Sequence, residues 1–179
     1  MPAVEKHLAI SVSTPTRPRF AQDLLRAIQE RGCSVAECRF AMIGDRTAAS
    51  LLVTGNWSAL GKLETALPGV AEQLEMQVLF SRCDDRGTNP DFRPYAAEVI
   101  APLQPDLLGH LLEFFYGQGV EIADIVTQSY ASTYTGAEMY SVQLVLHVPV
   151  SQHPQALRES FMDLCDDLNA DGMLDPIKS

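Results

Sequence analysis

The chain has 179 residues, 46% of them hydrophobic and 20% charged, and its formal net charge of −10 is unevenly placed. Residues 1–87 carry ten basic and ten acidic side chains, whereas residues 88–179 carry three and thirteen, so the whole excess lies in the second half. This composition excludes a disordered chain, the lack of an apolar run near ~20 residues excludes a membrane-spanning helix, and the acidic second half would repel phosphates, which argues against direct nucleic-acid binding.

The first residues, Met1 to Lys6, have no basic segment followed by an apolar one, so a cytoplasmic protein is expected. Cys33, Cys38, Cys83 and Cys165 form no CxxC pair and are expected to be free, buried thiols. Displacing the chain by 87 residues superimposes Pro15 on Pro102, Pro18 on Pro105, Leu24-Leu25 on Leu111-Leu112 and Gly32 on Gly119. Val35-Ala36-Glu37 then falls on Ile122-Ala123-Asp124, and one duplicated unit is the economical explanation.

In chain order, His7 to Ser13 alternates Leu8, Ile10 and Val12 with smaller or polar residues, the mark of a half-buried strand. A turn, Thr14-Pro15-Thr16-Arg17-Pro18, follows, with Pro18 suited to the first turn of a helix. Phe20, Leu24, Leu25 and Ile28 recur at helical spacing and Gly32 is a natural stop. Val35 to Ile43 and Ala48 to Thr54 read as strands joined at Gly44-Asp45. Asn56 or Ser58 caps a second helix, in which Trp57 is expected as a core plug beside Leu60, Leu63 and Leu67. Leu74 to Ser81 supplies the last strand, and residues 83–94, polar with Gly and Pro, read as a linker.

The second unit repeats the order: a strand over Tyr95 to Ala101, a helix over Asp106 to Tyr116, and a hairpin of Glu121 to Ser129 and Tyr140 to Val148. A helix over His153 to Ala170 and a short strand around Met173 to Ile177 complete it; Pro176 places that strand at a sheet edge or makes it irregular. The expected fold is therefore α+β: two ferredoxin-like βαββαβ modules, residues 1–82 and 95–179, each an antiparallel sheet with both helices on one face. Bare edge strands invite pairing, so side-by-side association of modules is expected, and a homodimer is left open.

Two βαββαβ units with a Pro-containing turn after the first strand resemble tandem ACT domains. The stretches Arg39-Phe40-Ala41-Met42-Ile43-Gly44, Gly55-Asn56-Trp57-Ser58-Ala59-Leu60, Leu63-Glu64, Leu67-Pro68, Leu164-Cys165, Leu168-Asn169-Ala170 and Gly172 are similar to the bacterial repressors of glycine cleavage genes within that family. The resemblance implies a protein that contacts a DNA-binding activator rather than DNA, with a small amino acid, glycine, relieving repression. The family's first turn usually reads Asp-Arg-Pro-Gly, where this chain has Thr16-Arg17-Pro18-Arg19. Gly there lets a small ligand approach the backbone; Arg19 puts a long cation at that spot, which opens the way to a larger or more acidic ligand, or to none.

The expected ligand site starts from that first turn. Free N–H groups at a helix N-terminus attract carboxylates, Thr16 offers a hydroxyl, and Arg17 or Arg19 offers a bidentate cation beside Thr14 and Pro18. The second turn, Pro102-Leu103-Gln104-Pro105-Asp106, has no cation and is the weaker candidate. The resemblance adds the starts of the second strands, Val35, Ala36 and Glu37, and Ile122, Ala123 and Asp124, where an acid could hold a ligand ammonium group; a solvated strand edge explains them equally well.

Chemistry of other kinds finds little support. His7, His110, His147 and His153 have no metal spacing, and GxSxG, GxxxxGK[ST] and GxGxxG are absent. No catalytic residue, metal or cofactor is expected. The acids Asp163, Asp166, Asp167 and Asp171 read as a solvated helix face, with docking to a basic partner as the alternative. The expected function is an amino-acid-responsive, non-enzymatic regulator of glycine cleavage genes acting through a transcription factor. The alternatives are a sensor that regulates a metabolic enzyme and a structural dimerisation module without ligand.

Overall fold

The computed structural model describes residues 6–178, which fall into two compact units divided between Gly87 and Thr88. In the first unit the order is β1 (Lys6–Pro15), α1 (Phe20–Gln29), β2 (Ser34–Ile43), β3 (Arg46–Gly55), α2 (Trp57–Gln73) and β4 (Gln77–Cys83). In the second it is β5 (Phe92–Pro102), α3 (Leu107–Gly117), β6 (Glu121–Ala131), β7 (Glu138–Pro149), α4 (Pro154–Asp167) and β8 (Asp171–Pro176). Both are βαββαβ units. Their antiparallel sheets are ordered β2-β3-β1-β4 and β6-β7-β5-β8, so the same positions become edges in each.

The period-2 pattern decides which sheet face is covered. Leu8, Ile10 and Val12 of β1 pair with Val53, Leu51 and Ala49 of β3, and all six are buried. Phe20, Leu24 and Ile28 from α1 and Leu60, Leu63 and Leu67 from α2 close that face into one cluster. The second unit builds its own core from Ala97, Val99, Leu144 and Leu146 under Leu111, Phe115, Leu157 and Phe161. The aromatic rings stack there, Phe115 and Phe161 lying 5.6 Å apart. Both helices thus cover one face of each sheet, as the sequence pattern predicts.

Three local expectations are corrected. Trp57 is 73% exposed, because it opens α2 on the outward side while Ala59, Leu60, Leu63, Leu67 and Val70 form the buried stripe. The cap is Asn56, whose side chain accepts from the Ala59 N–H at 2.8 Å. The last strand of the first unit begins at Gln77 rather than Leu74, since Glu75 takes a left-handed turn (φ 48) between Leu74 and Met76, which bury their side chains in that turn. Of the four free thiols, Cys33 and Cys165 are buried, Cys83 is half-buried and Cys38 is exposed on edge strand β2.

Candidate functional site

The β1–α1 turn is built by three anchors. The Thr14 hydroxyl, wholly buried, donates to the Glu75 carbonyl at 3.2 Å, tying the end of β1 to the α2–β4 turn. The Thr16 N–H donates to the Asp45 carbonyl at 2.9 Å, and the Thr16 and Thr47 hydroxyls lie 3.2 Å apart, which fixes the turn against the β2–β3 hairpin. Arg46 Nε donates to the Ser13 hydroxyl at 3.1 Å on the adjoining strands.

Arg17 and Arg19 then present their cations at the head of α1. The Arg17 guanidinium lies over Phe20, 5.4 Å from the ring centre, and Phe20 is in turn 6.2 Å from Phe40. Packing leaves Arg17 Nε and Nη2 shielded from solvent without a hydrogen-bond partner among the described residues. Buried donors left unpaired are costly. Arg19 is the N-cap, exposed, with its Nε donating to Gln22 Oε1 at 3.0 Å. Its side chain does not cap α1, and the first intrahelical bond runs from the Asp23 N–H to the Arg19 carbonyl. The N–H groups of Phe20, Ala21 and Gln22 therefore have no acceptor within the helix. Pro18 precedes the helix instead of opening it. Helix-end N–H groups, two arginines and the Thr16 hydroxyl thus belong to one turn, donor types that can pair with an anion.

The backbone at this position favours glycine. Arg19 sits at φ 62 and ψ 9, the left-handed region that a residue with a Cβ enters at a cost. Entry of the chain into α1 requires that conformation whatever binds there.

At the equivalent place in the second unit the same backbone bond recurs, from the Leu103 N–H to the Glu138 carbonyl at 2.9 Å. The chemistry does not. Gln104, which replaces Arg17, donates its amide to the Leu168 carbonyl at 2.9 Å, and the N-cap Asp106 adds an anion at the head of α3. Of the two turns, the first carries arginines and the second carries none.

The strand starts expected from the resemblance are matching β-bulges. Val35 opposes Val53 and Glu37 opposes Leu52, leaving Ala36 as the extra residue; Ile122 opposes Leu146 and Asp124 opposes Val145, leaving Ala123. Both bulges lie on edge strands, and Asp124 accepts from the Ile125 N–H at 3.2 Å. Within the first unit they lie far from the turn: Val35 is in the row of Val53 and Leu8, whereas Thr14 is in the row of Thr47 and Met42. Six strand residues separate the rows, roughly 20 Å. One module by itself therefore does not bring Glu37 together with Arg17.

Among the described residues no three His, Cys, Asp or Glu side chains gather to hold a metal. Burial raises the Cys33 thiol above its usual range, and burial, with Asp166 and Asp171 adding, raises Cys165 to about 11, so both stay protonated. A groove between α4 and β8, lined by Tyr95, Arg158 and Leu174, has its cation already engaged: Arg158 donates to the Leu174 carbonyl and to Asp175 Oδ1. No helix among the described residues is long and apolar enough to cross a membrane.

Comparison with known proteins places this geometry. The ACT domain family matches residues 6–81, the first unit. The glycine cleavage system transcriptional repressor of Escherichia coli is 24% identical over 173 residues, covering 97% of this chain and 91% of its own, and that of Shigella flexneri gives the same figures. A crystal structure described as a candidate glycine cleavage system transcriptional repressor superposes with a TM-score of 0.71 at 22% identity, covering 98% of this chain and 99% of that one. An unknown protein from Galdieria sulphuraria does so with 0.76 at 19%, covering 97% and 99%. The chain is thus a pair of ferredoxin-like βαββαβ modules, the first of which matches the ACT domain family over residues 6–81, and along nearly its whole length it is similar to the glycine cleavage system transcriptional repressor.

Proposed function

We propose that this chain is a non-enzymatic cytoplasmic sensor that binds a small amino acid at its β1–α1 turn and thereby controls repression of glycine cleavage genes through a DNA-binding partner protein. The observation that carries the reading is the Arg17 guanidinium, two of whose nitrogens are shielded and unpaired beside uncapped helix N–H groups. A ligand carboxylate is the kind of acceptor such donors lack. End-to-end likeness to the glycine cleavage repressor supports the choice of target. The acidic second half supports a protein intermediary over direct contact with DNA.

The coupling needs no chemistry. A ligand shifts the partner-binding form only by as much as it prefers one form over the other. The test is association of the purified chain with the DNA-binding activator of the glycine cleavage operon, measured with and without glycine and other small amino acids. The wild type should bind and respond to one of them. Arg17→Gln should bind the activator but require ten- to a hundredfold more amino acid, the size expected for losing a charge-assisted hydrogen bond. Activator binding that is absent, or a response unchanged in Arg17→Gln, contradicts the reading.

A further inference from the structure

The two hairpins that follow the first helix of each unit occupy equivalent places in their sheets and differ in length and charge. In the first unit β2 and β3 are joined by Gly44-Asp45 alone, and the outward sheet face carries Arg39 and Arg46. In the second unit β6 and β7 are longer, the connection spans residues 132–137, and no Lys or Arg occurs between Glu121 and Pro149. Displacement by 87 residues puts Val126 where Arg39 stands and Tyr130 where Ile43 stands. Val126 is 53% exposed, Tyr130 40% and Tyr134, at the hairpin tip, 98%.

Val126 and Tyr130 lie on the sheet face away from α3 and α4, because their partners Gln143 and Met139 alternate with the buried Val142 and Leu144. Glu121 and Asp124 occupy the same face at its base, and Glu138 stands beside the tip. Apolar and aromatic groups held in water on a hairpin that has carboxylates at its base and beside its tip and no Lys or Arg have the composition of a contact surface, with tyrosine as anchor and charge as guide.

We infer that this face of the β6–β7 hairpin docks a protein partner whose surface is rich in Lys and Arg and offers an apolar recess for Tyr134. Charge complementarity selects that occupant, since a nucleic acid or the acidic second unit of another copy would be repelled. The inference rests on the proposed function for its partner: a protein that binds DNA carries such cationic surface of necessity. It assigns the two units different tasks, with ligand capture in the first and docking in the second.

The experiment measures association of the full chain with that activator, comparing Tyr134→Ser, Val126→Arg and Glu138→Lys with Arg39→Glu, the change at the equivalent strand of the first unit. Circular dichroism melts establish that each variant folds, and Tyr134, in a solvent-exposed loop, can be removed without touching the core. Tyr134→Ser and Val126→Arg should each weaken binding at least tenfold, Glu138→Lys should flatten its salt dependence, and Arg39→Glu should leave it within twofold. If the wild type binds and the hairpin variants bind equally well, the docking surface is wrong while the regulatory reading stands. If they change self-association of the chain instead, a second copy is the occupant and the inference is overturned. If the wild type does not bind, the regulatory reading fails and the inference falls with it.

Discussion

Arg19 and Cys165 show how single side chains are set by backbone and burial. At φ 62 Arg19 holds a conformation that glycine enters freely, at a cost of roughly 1 kcal/mol relative to it. Arg19→Gly should therefore stabilise the protein by up to about 1 kcal/mol in urea unfolding, part of the gain being offset by the looser unfolded chain. Destabilisation would mean that its bond to Gln22 matters more than the strain. Cys165, fully buried, has its thiol raised from 9.0 to about 11 by burial first and by Asp166 and Asp171 next. The folded form then holds its proton more tightly than the unfolded one. Stability from this source is complete below pH 9 and declines, on the order of 2–3 kcal/mol, as pH rises toward 11. Unfolding free energies of wild type and Cys165→Ala across that range should converge by this amount; parallel curves would contradict the assignment.

At the scale of elements, β8 depends on Gly172. A Cβ there would run into Cys165 Sγ and the Phe161 ring, which cannot retreat because it stacks on Phe115. Gly172→Ala should cost about 2 kcal/mol, as overpacking does, seen as a lowered urea midpoint; a neutral substitution would show α4 to be more yielding than this packing implies. Strands, helices and their buried faces were legible in the sequence because Leu8-Ile10-Val12 and Phe20-Leu24-Ile28 carry their periods openly. Other features lie outside what local pattern encodes. Hydrophobicity puts Trp57 inside, yet its place at the first position of α2 turns it outward, under Arg82 at 5.8 Å from the ring centre. The left-handed turn at Glu75 hid behind the unbroken alternation of Leu74, Met76 and Val78. Ala36 and Ala123 aligned as a repeat without revealing a bulge, because an extra residue is defined only by the strand opposite. Of the site, the arginines of the turn could be read directly. The separation of Glu37 from them could not, since it follows from sheet register.

For the whole molecule, duplication supplies two complete cores of similar construction with different surfaces. Each cluster closes on residues of its own unit, which predicts that 1–87 and 88–179 expressed separately each give a folded circular dichroism spectrum and a cooperative melt. An unfolded fragment would mean that its core is not sufficient alone. The charge difference between the halves, zero against −10, sits on those similar cores and belongs to function rather than to folding. The central claim is that the first β1–α1 turn receives an amino-acid carboxylate. It is tested most directly by following the backbone amides of the full chain in two-dimensional NMR during titration with glycine and a panel of other amino acids. Saturable shifts should appear for Thr16 to Gln22, with Leu103 to Leu108 stationary; no saturable shift with any amino acid, or shifts that leave the first turn untouched, would contradict the account.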